Sequence, residues 1–235
     1  PLFFEDHYER LKSTFRAIGM HLGLTESQLA DNIRMLLHKS GNSNCNVKVV
    51  ILNEARCQEQ LVYISKSYYP AEAEYNGGVR AGLLQIERKN PNAKIFNKAY
   101  KDAVEKKLAE GGYFEVILVD NEGRITEGSK SNLFVIKSGR VVTAPGESVL
   151  KGITRKYVFE ACRNAGFDVG EEFVRADEID EIEGCFLSGT SIKVLPVRSI
   201  DDIVLNSADN PVISDIRQEY DKILGEYIDR HVNMW

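Results

Sequence analysis

Apolar residues recur at helical spacing in some stretches of this chain and alternate with polar ones in others. Over residues 6–20, Leu11, Phe15 and Ile18 fall at i, i+4 and i+7, which lays one apolar stripe along a helix. Thr25-Glu26-Ser27-Gln28 has the form of a capping box and opens a second helix bearing Leu29, Ile33 and Leu36, with Gly41 to end it. Residues 47–52 and 61–65, rich in β-branched side chains, predict strands. Tyr75-Asn76-Gly77-Gly78 is a turn signal and the expected boundary between a small α/β unit, residues 1–74, and a larger one, residues 75–235.

Beyond that boundary the pattern predicts a strand over 79–86, a polar segment over 87–93 containing Pro91, and a helix over 97–110. That helix carries Tyr100, Val104 and Leu108 on one face and is stopped by Gly111-Gly112. Strands follow at 114–119 and 124–126 around a turn at 120–123, and a hairpin at 133–136 and 141–143 around Ser138-Gly139. A helix over 153–165 precedes Gly166, strands at 185–188 and 194–197 flank Gly189-Thr190-Ser191, and an amphipathic helix covers 213–228. Strands mixed with helices in this way predict an α+β (mixed α/β) fold in two domains.

Composition narrows the function classes. With 235 residues, 43% hydrophobic and 28% charged, the chain is long enough and apolar enough to bury a substantial core. A net charge of −5 leans against nucleic-acid binding, which favours a basic face. Cys45, Cys57, Cys162 and Cys185 are scattered without a C-x-x-C pair, so neither a metal site nor a disulfide framework is expected. No apolar run reaches membrane-spanning length and no signal peptide opens the chain, which makes the cytoplasm the expected location. The chain begins at Pro1, already within the apolar stretch Leu2-Phe3-Phe4, and reads as one already under way.

Two segments have the chemistry of anion sites. In Leu150-Lys151-Gly152-Ile153-Thr154-Arg155 a glycine stands just before a helix, so first-turn N–H groups and the helix dipole face whatever approaches. Gly189-Thr190-Ser191 offers N–H groups and hydroxyls at a strand end. Each alone fits an ordinary helix start or turn; together they point to a phosphorylated ligand. Glu127, Lys94 and Arg10 (with His7 one helical turn earlier) each fit a solvated surface residue when taken singly. Their order along the chain is the informative feature.

That ordered set resembles the class IV aminotransferases, which include branched-chain and D-amino-acid aminotransferases and aminodeoxychorismate lyases. His7-Tyr8-Glu9-Arg10 matches the segment whose arginine holds the phosphate of pyridoxal 5'-phosphate. Ala93-Lys94-Ile95-Phe96-Asn97 matches the segment of the Schiff-base lysine, Lys94, and its Asn97 spacing is closer to the lyase and D-amino-acid branches. I-T-E-G-S-K-S-N-L-F places Glu127 opposite the pyridine nitrogen, and L-K-G-I-T-R places Ile153 and Thr154 as backbone donors to the phosphate. F-L-S-G-T-S-I-K-V-L-P-V makes Thr190 a phosphate contact and sets Ser191 beside the substrate carboxylate.

The resemblance implies a fold-type IV architecture, with a barrel-like sheet flanked by helices in the large domain, and a homodimer acting on an amino acid and a 2-oxo acid. It implies transamination of a branched-chain-like kind, with release of 4-aminobenzoate and pyruvate from 4-amino-4-deoxychorismate as the alternative. A fold relative that only binds is a third reading. The resemblance also implies residues ahead of the Arg10 helix that supply aromatic walls of the substrate pocket. Lys48 stands where branched-chain enzymes tend to have an arginine, and serves equally as a point charge or a structural residue.

Overall fold

The computed structural model describes residues 1–42, 44–54 and 57–232. The first unit is built by two helices on a hairpin. Helix α1 (Phe4–Ala17) starts with Glu5 and Asp6 in its first turn, where acidic groups complement the helix dipole. Helix α2 (Glu26–Ser40) is fixed at both ends as the sequence predicts. Thr25 and Gln28 form the capping box, and Gly41 takes the left-handed conformation at φ 63°. Strands β1 (Asn46–Glu54) and β2 (Cys57–Ser65) pair antiparallel, longer than the β-branched cores that predicted them. Val47, Val49, Ile51 and Val62 pack against Phe4, Tyr8, Leu29 and Ile33 as a separate apolar cluster.

The predicted turn at 75–78 is instead the end of a short helix, α3 (Glu72–Gly77). Gly78 stops it at φ 69°, and a Cβ there would lie 2.9 Å from the Arg198 amide nitrogen. Its glycines therefore serve as a helix stop and allow a close approach of two backbones.

The larger unit holds strands β3 (Val79–Gln85), β4 (Glu115–Val119), β5 (Arg124–Gly128), β6 (Asn132–Lys137), β7 (Arg140–Thr143), β8 (Val169–Glu171), β9 (Val174–Arg175), β10 (Gly184–Gly189), β11 (Lys193–Ile200) and β12 (Ile203–Val204). They form a ten-stranded sheet in the order β8-β7-β6-β10-β11-β3-β4-β5-β9, with β12 on β11. β5 and β6 are distant along this path, yet only residues 129–131 join them. The sheet must therefore curl back on itself into a half-barrel.

Its interior is filled by Ile117, Leu187, Leu195, Val197 and Ile179, all fully buried. The other face packs on helices α5 (Ile153–Asn164) and α6 (Pro211–His231) through Phe134, Phe186, Val158, Ile213 and Ile216. Phe134 and Phe186 stack with ring centroids 5.1 Å apart, a pair worth about 0.5–1.5 kcal/mol beyond its area burial. Helix α4 (Lys98–Gly111) covers β3 and β4, capped by the Asn97 side chain, which accepts from the Tyr100 amide. The mixed α/β fold with a barrel-like sheet and flanking helices agrees with the sequence reading. Among the described residues no helix is long and apolar enough to cross a membrane, and no cluster of metal-ligating side chains occurs.

Candidate active site

Where the sheet curls, the β5–β6 link, the start of α5, the β10–β11 turn, α1 and the segment between β3 and α4 surround one cleft of about 850 Å³. Arg10, Lys94, Glu127, Ile153, Thr154 and Thr190 all line it. Ser191 is not among the lining residues; its hydroxyl accepts from Asn46 Nδ2 at 2.5 Å, and Asn46 Oδ1 accepts in turn from Tyr69. Ser191 thus ties the β10–β11 turn to β1 in the small unit.

Glu127 lies near the end of β5, one residue beyond the strand predicted over 124–126, and is only 2% exposed. Burial pushes its carboxyl above the usual carboxylate value, and the adjacent Arg88 opposes that push. Arg88 Nη1 donates to Glu127 Oε1 at 2.6 Å. The other oxygen, Oε2, accepts from Asn132 Nδ2 at 3.2 Å and from the Leu150 amide at 3.0 Å. The link behind it is held by a second buried carboxylate, Glu115, which accepts from Ser129 Oγ, the Lys130 amide and Ser131 Oγ.

Lys94 sits in the irregular segment before α4, its side chain open to the cleft while protein surrounds it on the other sides. That enclosure, with Arg10 and Arg88 as like charges, lowers its amine to about 8; Glu127 pulls the other way. Arg10 projects from α1 and bonds His7 Nδ1 at 3.3 Å. Burial, then the neighbouring Arg10, lower His7 to about 3, so at neutral pH it is an uncharged acceptor for the guanidinium.

Helix α5 begins at Gly152 with no described side chain capping it, so its first-turn amides face the cleft. A Cβ on Gly152 would lie 2.3 Å from Asn132 Oδ1, a contact only glycine allows. Ile153 and Thr154, the first two residues of the helix, both line the cleft. The Arg155 guanidinium points elsewhere, to the Ala144 carbonyl and Glu171. Ser188 Oγ is buried in the cleft wall with no hydrogen-bond partner among the described residues.

Arg88, Asn132, Ser188 and the packing role of Gly152 were not assigned from sequence. Asn132 closes the motif that marked Glu127, so a signal was present; Arg88 lies in a segment that patterning marks only as polar.

The family profile described as amino-transferase class IV matches residues 1–200 of this chain. Among curated proteins the chain is similar to a probable branched-chain-amino-acid aminotransferase of Rickettsia bellii, 31% identical over 94% of this chain and 81% of that protein. A D-alanine aminotransferase of Bacillus licheniformis is 26% identical over 91% of this chain and 79% of its own length. Among solved structures, a branched-chain aminotransferase of the archaeon Thermoproteus uzoniensis with norvaline has a TM-score of 0.82. It is 24% identical, over 97% of this chain and 82% of that one. With the profile match covering most of its length and the curved sheet shared with such structures, this chain belongs to the class IV aminotransferase family.

Proposed function

We propose that the cleft binds pyridoxal 5'-phosphate and that the protein moves an amino group between an amino acid and a 2-oxo acid, of a branched-chain-like kind. The observation that carries this reading is the convergence in one cleft of a low-pKa lysine, a buried carboxylate and an uncapped helix start beside an arginine.

The residues fit the group. A phosphate dianion suits the amides of Ile153 and Thr154, the fork of Arg10 and the Thr190 side chain, with the buried Ser188 hydroxyl nearby in need of a partner. Glu127 suits a protonated ring nitrogen, and the Lys94 amine suits an aldehyde. When bound, the cofactor supplies a ring that draws electrons away from the substrate Cα.

With the cofactor bound, Lys94 would hold it through its amine and, when that amine is free, would serve as the base for the substrate Cα proton. An amine near 8 serves this role better than an ordinary lysine, since a larger share is unprotonated at neutral pH. Glu127 keeps the ring-nitrogen proton in place, and Arg10 with the α5 amides fixes the phosphate end. Ser191, next to the lining residue Thr190 in the β10–β11 turn, orients the substrate carboxylate. Residues 1–74 act as the small domain and residues 75–235 as the large, cofactor-holding one, in a cytoplasmic homodimer; closed two-fold pairs are the commonest assemblies of identical chains.

The test is a panel of L- and D-amino acids with 2-oxo acids as acceptors, assayed for oxo-acid formation beside pyruvate release from 4-amino-4-deoxychorismate. Oxo-acid formation from branched-chain amino acids supports the reading. Pyruvate release without transamination replaces it with the lyase, and neither activity in cofactor-loaded protein rejects both.

A further inference from the structure

Arg88 lies between β3 and α4, and its guanidinium touches three parts of the cleft. Nη1 donates to Glu127 Oε1 at 2.6 Å, and Nη2 donates to the Ala93 carbonyl at 3.5 Å. Cζ stands 5.9 Å from the centre of the Tyr100 ring. Ala93 immediately precedes Lys94. One planar, permanently charged group therefore links the carboxylate on β5 to the backbone that carries the amine.

A carboxylate has about four lone-pair positions. In Glu127, Asn132 and Leu150 use those of Oε2 and Arg88 uses one on Oε1, which leaves one. A ring N–H is a single donor, so the count closes. Without the arginine, a buried carboxylate tends to take up a proton, and a protonated carboxyl no longer favours a charged ring nitrogen. Arg88 also places a positive charge close to Lys94.

We propose that Arg88 is a positioning residue: it holds Glu127 as an anion with one lone pair turned to the cleft, and its charge favours the unprotonated Lys94 amine. The first half of this rests on the cleft being a pyridoxal phosphate site; the second concerns the protein alone. The charged and titratable groups that act on Lys94 are Arg10 and His7 on α1, Lys48 on β1, Glu127 on β5 and Arg88 itself. Tyr100 on α4 is a phenol that burial keeps neutral.

The experiment compares cofactor-free wild type, R88M and R88K. Lys94 acetylation by acetic anhydride is followed by mass spectrometry across pH, with circular dichroism as the check of folding. Half-modification is expected near pH 8 in the wild type, higher by about one unit in R88M because a like charge is gone, and near the wild-type value in R88K. Binding of pyridoxal phosphate should weaken at least tenfold in both variants, since a lysine cannot span Glu127 and Ala93 together, while binding of inorganic phosphate stays within twofold. Should R88M not fold, R88K carries the test: unchanged titration with weaker pyridoxal phosphate binding supports the proposal. Equal Lys94 titration in wild type and folded R88M overturns it, as does full pyridoxal phosphate affinity in R88K. A wild type that binds no pyridoxal phosphate rejects the reading of the cleft, and the cofactor-free titration still decides the role of Arg88.

Discussion

Asn132 and Gly152 are interlocked at the cleft floor: a Cβ on Gly152 would stand 2.3 Å from Asn132 Oδ1. The amide of the same Asn132 side chain donates to Glu127 Oε2 at 3.2 Å and to the Leu150 carbonyl at 2.9 Å. The start of α5 and the carboxylate on β5 are thus registered through one side chain. Gly152→Ala forces Asn132 aside, an overpacking cost of about 1–3 kcal/mol, and disturbs the phosphate end and the ring end together. Thermal unfolding and pyridoxal phosphate titration of this variant should both show the loss; wild-type affinity would mean the contact is slack.

Glu127→Gln keeps the size of the side chain and removes its charge. Cofactor binding should weaken, as in the Arg88 variants, yet remain measurable, because the phosphate contacts remain. Removal of the Cα proton should slow by about 10²-fold or more, the usual scale for losing one preorganised electrostatic group. Single-turnover measurements with α-deuterated substrate check this, and an unchanged rate would make Glu127 structural only.

His7 gives the protein an acid sensitivity of known sign. Its folded-state value of about 3 lies below the ordinary 6.5, so between these limits the unfolded chain binds a proton that the folded chain does not. Stability is free of this penalty above 6.5 and falls as pH drops towards 3, by at most about 1.4 kcal/mol per pH unit for one group. His7→Gln retains an acceptor for Arg10 without the titration. Urea unfolding at a series of pH values should show a shallower acid loss in the variant; identical slopes would remove His7 from the account.

The sequence made the α2 capping box, the glycine-led start of α5, the span of α4 and the longer strands of the sheet legible because each depends on local chemistry: a small residue, a hydroxyl, an alternation. Lys94, Glu127 and Arg10 gained meaning only from their order, since any one of them fits a surface residue. Arg88 could not be read at all. Its role depends on the half-barrel bringing β5 against the segment before α4, a long-range contact that no periodicity encodes. The turn predicted at 75–78 failed for a related reason: Gly77 and Gly78 mark an interruption, but a helix stop and a turn leave the same trace. β8, β9 and β12, each of two or three residues, are too short for alternation to show.

Lys94→Ala should still bind pyridoxal phosphate through Arg10, the α5 amides and Thr190, and should turn over at least ~10³-fold more slowly, having lost both the base and the covalent link. A shift to freely dissociating cofactor, seen by dialysis, separates this from a folding defect. Loss of all cofactor binding would place the phosphate contacts elsewhere.

Reductive trapping identifies the amine that carries the cofactor, here proposed to be that of Lys94. Protein loaded with pyridoxal phosphate is treated with borohydride, digested, and mapped by mass spectrometry. One phosphopyridoxyl group is expected, on the peptide containing Ala93-Lys94-Ile95-Phe96-Asn97, and none at Lys48, Lys130 or Lys151. Label on another lysine, or no covalent label in protein that binds the cofactor, would contradict it.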